Sequence, residues 1–304
     1  MFSPKAKIIA IKIDVDTERG TRLGVPNLLK LLKNLAIPAT FLFSLGPDNT
    51  GRAIRRIFRP GFLRKVSRSN VLAIYGVRTL LNGLLWPGPL IGKRCAAMMR
   101  QTEEAGHEVG IHCYDHIRWQ DKLHTWPKEE VFKEFKKACL EFQRIFLRAP
   151  QTAGAAGWQA NAHSLAAYDA AHLLYASDTR GSYPAFPKVT EKTFKTLLIP
   201  SNLPTLDELI GRPEFPLDRL DEYYLSLLRD DVVNVLTIHA EIEGMKYLQF
   251  FEGFLRKSKQ QGVQFQSLQS VARQILAHPR EIPIINLTQA SVEGRSGTLA
   301  VLNG

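Results

Sequence analysis

Two aspartates one residue apart, Asp14 and Asp16, close the apolar run Ile8–Ile13, and two histidines, His112 and His116, follow a second short apolar run, 108–111. Acids at i and i+2 of a strand point to the same side, where they could share a metal ion or a proton. Imidazoles at i and i+4 can reach one ion from one side of a helical turn. For the acids, capping of a helix N-terminus is the alternative. His239 ends the β-branched run D-V-V-N-V-L-T-I, and Asp178 follows the apolar segment 173–176. All these groups lie where the chain leaves a strand, the end at which ligands gather in α/β sheets. A shared mouth makes His239 a candidate catalytic group. Cys113 lies between the histidines, but a metal-bound thiolate belongs to a spaced set, so a buried or outward-facing thiol is expected. The small-residue run 152–157 reads either as a backbone cradle for an anion or carbonyl or as a tight turn.

The elements that must carry these groups alternate as βα units. Five of the six residues 8–13 are apolar and four are isoleucine, the composition of a strand covered on both faces. A leucine-rich helix beginning near Pro26 and a strand at 39–43 follow. Further on come helices over 94–105, 129–146, 161–171, 249–260 and 268–277, and strands near 195–199, 231–238 and 263–266. No Pro/Ser/Gly-rich linker divides the 304 residues, so a single domain over 1–280 is expected, with 281–304 as a poorly ordered tail.

Charge is unevenly placed. Forty Lys and Arg against twenty-nine Asp and Glu give +11, and residues 49–102 hold eleven basic residues and no acid. Ile54, Ile57, Phe58, Phe62 and Val66 recur at helical spacing among those arginines, and an apolar stretch with Tyr75 and Trp86 follows. This basic insertion reads as a surface for an anionic membrane interface or as a packed helical element with solvated arginines. Interruptions at Arg78, Asn82 and Pro87-Gly88 argue against a membrane span, and no nucleic-acid motif accompanies the charge. Three cysteines without C-x-x-C spacing suit a reducing compartment, and the polar start Met1–Lys7 does not read as a signal peptide.

Taken together, these motifs resemble the polysaccharide deacetylases with the NodB homology domain over roughly residues 7–277. The resemblance implies an α/β fold, a distorted (β/α) barrel of about seven parallel strands. It implies Asp14 as general base and Asp16, His112 and His116 as ligands of a divalent metal ion (zinc, manganese, cobalt or iron). It further implies Arg148 of R-A-P as the group orienting the base, Asp178 as the fourth-motif acid and His239 as general acid. The family's usual first motif has adjacent aspartates; here Val15 separates them. The pieces I-D-V-D-T, F-S-L-G-P-D-N, S-D-T-R-G and T-I-H-A-E-I-E-G are similar to a branch that deformylates a formamido sugar carried on polyprenyl phosphate. That implies a peripheral hydrolase on the cytoplasmic side of the inner membrane, in lipid A modification. An N-deacetylase of another amino sugar and a non-catalytic lipid-binding relative are the alternatives.

Overall fold

The computed structural model describes residues 6–53, 71–295 and 297–303. Strand β1 (Ile8–Val15) is buried along its whole length. It leads to helix α1 (Val25–Leu35), whose Leu28, Leu31, Leu32 and Leu35 face the core, and to β2 (Thr40–Ser44). Helices α2 (Val71–Leu81) and α3 (Ile91–Glu104) precede β3 (Glu108–Cys113). Then come α4 (His116–Lys122), α5 (Lys128–Phe146), β4 (Thr152–Ala153), α6 (Ala162–Ala170) and β5 (Tyr175–Ala176). Short strands β6 (Arg180–Gly181), β7 (Phe186–Val189), β8 (Lys192–Thr193) and β9 (Leu197–Leu198) precede helices α7 (Leu206–Leu209) and α8 (Leu220–Ser226). The remaining elements are β10 (Asn234–His239), α9 (Leu248–Gln260), β11 (Gln264–Gln266), α10 (Leu268–Leu276), β12 (Ile284–Ser291) and β13 (Thr298–Asn303).

The main sheet runs β10-β1-β2-β3-β4-β5-β9, every pairing parallel. β10 takes one edge of β1, and the other edge is divided between β11 at Ile8–Ala10 and β2 at Lys12–Val15. β1 is therefore central, which is why a nearly continuous isoleucine run suits it. Between β9 and β10 side chains take over from the ladder: Asn202 Oδ1 accepts from Val235 N at 2.7 Å, and the Ser201 and Thr237 hydroxyls meet at 2.6 Å. The expected distorted barrel of seven parallel strands is thus present.

Two expectations need correction. The described residues of the expected poorly ordered tail, 281–304, are ordered: β12 and β13 pair with each other and with β7 and β6, in a second sheet ordered β6-β13-β12-β7-β8. Ile285, Leu299, Ala300 and Leu302 are buried, so this hairpin has an apolar face that its polar turn conceals in the sequence. The insertion also ends earlier than 102. α3 buries Ile91, Cys95 and Met99 against the barrel and serves as the crossover between β2 and β3. The basic-apolar alternation at 54–66 lies outside the described residues. Beyond it, Val77, Leu84, Leu85, Trp86 and Leu90 are exposed, and no described helix is long and apolar enough to cross a membrane.

Candidate metal centre

Parallel pairing puts Asp14 directly beside His239, and neighbours in register point to the same side of a sheet. Asp16 lies just beyond the strand, in a turn held from below: Glu241 Oε1 accepts from Asp16 N (3.1 Å), Thr17 N (2.9 Å) and Thr17 Oγ1 (2.7 Å). Glu241 has no exposed surface, and burial together with the Asp16 charge pushes its carboxyl well above the usual range. Gly20 makes room for it, since a Cβ there would fall 1.9 Å from Glu241 Oε1.

His112 and His116 meet differently from the expected helical i, i+4 pair. His112 belongs to β3, and His116 is the first residue of α4, whose N-cap Asp115 accepts from Arg118 N at 3.1 Å. The strand-to-helix bend brings the rings to 5.2 Å between centroids. Asp16 Oδ1 then lies 3.2 Å from His112 Nε2 and 3.5 Å from His116 Nε2. A tetrahedral ion with bonds of 2.0–2.1 Å holds its ligand atoms about 3.3 Å apart, so these donors fit a divalent ion. Asp16 Oδ1 is buried without a hydrogen-bond partner, as a ligand oxygen awaiting an ion would be. His112 Nδ1–H donates to Gly154 O at 2.5 Å, which turns the Nε2 lone pair toward Asp16. Burial would raise the Asp16 carboxyl, but His116, His112 and His239 hold it well below the usual range. Of the described residues, Asp16, His112 and His116 form the one cluster with metal-ligand geometry. Cys113 is outside it; its buried thiol faces Ser44 Oγ at 3.3 Å.

The other expected residues divide. His239 stands beside Asp14, with its backbone N–H donating to Glu243 Oε2 at 2.9 Å and its Nδ1 buried without a partner. Asp178 is fully buried but touches the turn after β4 and not His239: its Oδ1 accepts from Ala155 N at 2.6 Å. It therefore fixes the turn whose Gly154 carbonyl orients His112. Burial pushes its carboxyl up to about 6. In the run 152–157, Gly154 N is taken by Ile111 O and Ala155 N by Asp178, so the tight-turn reading holds and two donors of the supposed cradle are spent.

Arg148 is not brought to the site. It stands between α5 and β4, at the opposite end of the sheet, where its Nη2 meets Glu103 Oε1 at 2.6 Å and its guanidinium lies 5.3 Å from the Phe142 ring. A residue before β4 faces the wrong end of a parallel sheet to reach Asp14. The cation beside Asp14 is instead Lys12, Nζ to Oδ2 3.3 Å, from within β1. An isolated lysine in an apolar run reads as an interruption, and only the i, i+2 relation to Asp14 signals otherwise.

The family model for polysaccharide deacetylases matches residues 3–176. The chain belongs to this family. A protein of Shewanella sediminis is 36% identical over 293 residues, covering 96% of this chain and 93% of its own. It bears the name 4-deoxy-4-formamido-L-arabinose-phosphoundecaprenol deformylase ArnD. A protein of the same name from Wigglesworthia glossinidia brevipalpis is 36% identical over 284 residues, 92% and 97% of the two chains. Among solved structures, one assigned as a polysaccharide deacetylase from Mycobacterium smegmatis superposes with TM-score 0.66 at 17% identity, covering 96% of this chain and 98% of its own. That likeness carries the fold.

Proposed function

We propose that this chain is a metal-dependent deformylase that hydrolyses the formamide of 4-deoxy-4-formamido-L-arabinose carried on undecaprenyl phosphate, releasing formate and the free 4-amino sugar lipid. The observation that carries the reading is the Asp16–His112–His116 donor set beside the paired Asp14 and His239, in a chain 36% identical to ArnD deformylases over nearly its whole length. Asp16, His112 and His116 would hold a divalent ion, whose chemistry there would be to polarise the amide carbonyl and acidify water. Asp14 would accept the proton of the attacking water through Oδ1, its oxygen without a hydrogen-bond partner. His239, on the neighbouring strand, would deliver a proton to the departing amine nitrogen. The balance is amide plus water to amine plus formate.

We further infer a peripheral seat on the anionic cytoplasmic face of the inner membrane. Exposed Leu84, Leu85 and Trp86 lie beyond Gly83, where an added Cβ would meet Asn49 Oδ1 at 2.6 Å, and Asn49 donates to Asp115 Oδ2 at 2.7 Å immediately before His116. An apolar rim next to the ligand loop suits a lipid-borne substrate. The test compares formate release from a water-soluble formamido sugar phosphate and from the polyprenyl substrate in anionic vesicles, with N-acetyl analogues alongside. Activity on the N-formyl and not the N-acetyl compounds is expected, and Leu85→Glu/Trp86→Glu should slow only the vesicle reaction. Preference for the acetyl compounds would overturn the deformylase reading.

A further inference from the structure

Lys12 is the least expected residue of the barrel interior. It interrupts a strand whose eight residues are all buried and has no exposed side-chain surface. An ammonium withdrawn from water is costly unless it is compensated, and a hydrophobic side chain of similar volume would serve packing at least as well. Its stem passes beside the turn that orients His112, where glycine leaves it room: a Cβ on Gly154 would fall 3.0 Å from Lys12 Cε. Its ammonium lies 5.3 Å from the centre of the Trp158 ring, and that ring is itself fixed, Nε1 to Ser201 Oγ at 3.3 Å with Arg295 at 4.4 Å from its centre.

What faces this buried charge is Asp14. Lys12 Nζ lies 3.3 Å from Oδ2, whereas Oδ1 has no hydrogen-bond partner and lies 3.8 Å from His112 Nδ1. Lys12 and Asp14 stand at i and i+2 of one strand, so both point into the barrel. The arginines that could compete are engaged elsewhere: Arg148 with Glu103, Arg180 and Arg295 with Glu208.

We propose that Lys12 is the positioning residue for the base: its ammonium pins Asp14 Oδ2 and so turns Oδ1 toward the space in front of the ligand cluster. This rests on the reading of Asp14 as the base. It also explains how the barrel works with Arg148 at its far end. A lysine on the base's own strand, two residues before it, supplies the cation from the floor of the site, where it does not occupy the mouth through which a sugar enters.

The test measures kcat and KM on the water-soluble formamido sugar phosphate for Lys12→Met, Lys12→Gln, Lys12→Arg, Asp14→Asn and the double variant Lys12→Met/Asp14→Asn, with metal content and melting temperature for each. Lys12→Met and Lys12→Gln should keep the metal, melt at or above the wild-type temperature, leave KM within about threefold and lower kcat about 10- to 100-fold. Lys12→Arg should recover most of the loss. The double variant should be no slower than Asp14→Asn alone, because a residue acting through Asp14 has nothing left to position. Wild-type kcat in both neutral variants, losses that multiply with Asp14→Asn, or slowing that tracks lost metal or lost fold would overturn the proposal. If Asp14→Asn itself turns over at the wild-type rate, the base assignment fails. If Asp14→Asn is slow and Lys12→Met is not, the role of Lys12 alone fails.

Discussion

The two ends of the main sheet are oppositely finished. At the N-terminal end, Glu108 opens β3 with every oxygen occupied: Oε2 accepts from Thr40 Oγ1 at 2.6 Å and Gln269 N at 2.9 Å, and Oε1 from the Tyr175 hydroxyl at 2.8 Å. At the C-terminal end, Asp14 Oδ1, Asp16 Oδ1, His239 Nδ1 and Glu241 Oε2 are all buried without hydrogen-bond partners. Unsatisfied buried polar atoms are expensive, and a fold carrying four together is keeping donors and acceptors for something outside itself. One end is an anchor with its valences closed, and the other is a site with them open. The lesson is that burial of a carboxylate says little about function until its partners are counted.

The contrast breaks most visibly at the ligands. Asp16→Ala, His112→Ala or His116→Ala should each abolish tight metal binding and activity together; full metal occupancy by elemental analysis in any of them would remove that residue from the ligand set. Next, Asp14→Asn and His239→Ala should hold the ion yet lower turnover by roughly 10²- to 10⁴-fold, as loss of a positioned base or acid does. Steady-state rates close to wild type in either would undo its role. At the anchored end the pattern should invert. Glu108→Ala strands three donors and should cost about 1–3 kcal/mol of stability in denaturant titration, with kcat for the folded enzyme unchanged; a fall in kcat beyond a few-fold would show the two ends to be coupled.

A further effect, of pH, concerns Glu243, which burial pushes up to about 8. A carboxyl with a raised folded-state pKa contributes stability that is complete below its ordinary value near 4.5 and is lost as pH rises through the folded value. Wild type should therefore lose melting temperature relative to Glu243→Gln between about pH 5 and 9. A constant difference across that range would show that Glu243 does not enter the folded state protonated.

Legibility in the sequence followed length and periodicity. β1, β3 and β10 are six residues or longer, apolar and end in chemistry-bearing side chains, so their ends and the residues Asp14, Asp16, His112, His116 and His239 could be read directly. Strands β4, β6 and β8 have two residues each, too few to show a period, whereas the equally short β5 and β9 lie inside the apolar segments 173–176 and 195–199 that mark them. The C-terminal hairpin was hidden by its polar outer face, because half of a strand exposed to water looks like loop until its partner is known. Arg148 shows the limit of motif transfer: the tripeptide is present, but its place before a strand sets it at the anchored end. Lys12 shows the converse, a functional cation disguised as a flaw in an apolar run. Asp178 lies in between, read as an acid at a strand end but holding a turn.

The hairpin of β12 and β13 also bears on the order in which the molecule assembles. Gln159 Nε2, next to Trp158, donates to Thr298 O across 139 residues of sequence, and Gln289 Nε2 donates to Ala160 O across 129. Arg295 closes on Trp158 from the same distant segment. Contacts so far apart along the chain carry a large loop-closure cost and form late. The neighbouring strands β1, β2 and β3 can associate early, whereas the wall behind Lys12 must wait for the hairpin to arrive. Refolding followed by two probes should then separate in time, with backbone structure of β1, β2 and β3 returning before the Trp158 environment, and the enzyme becoming competent only at the second event.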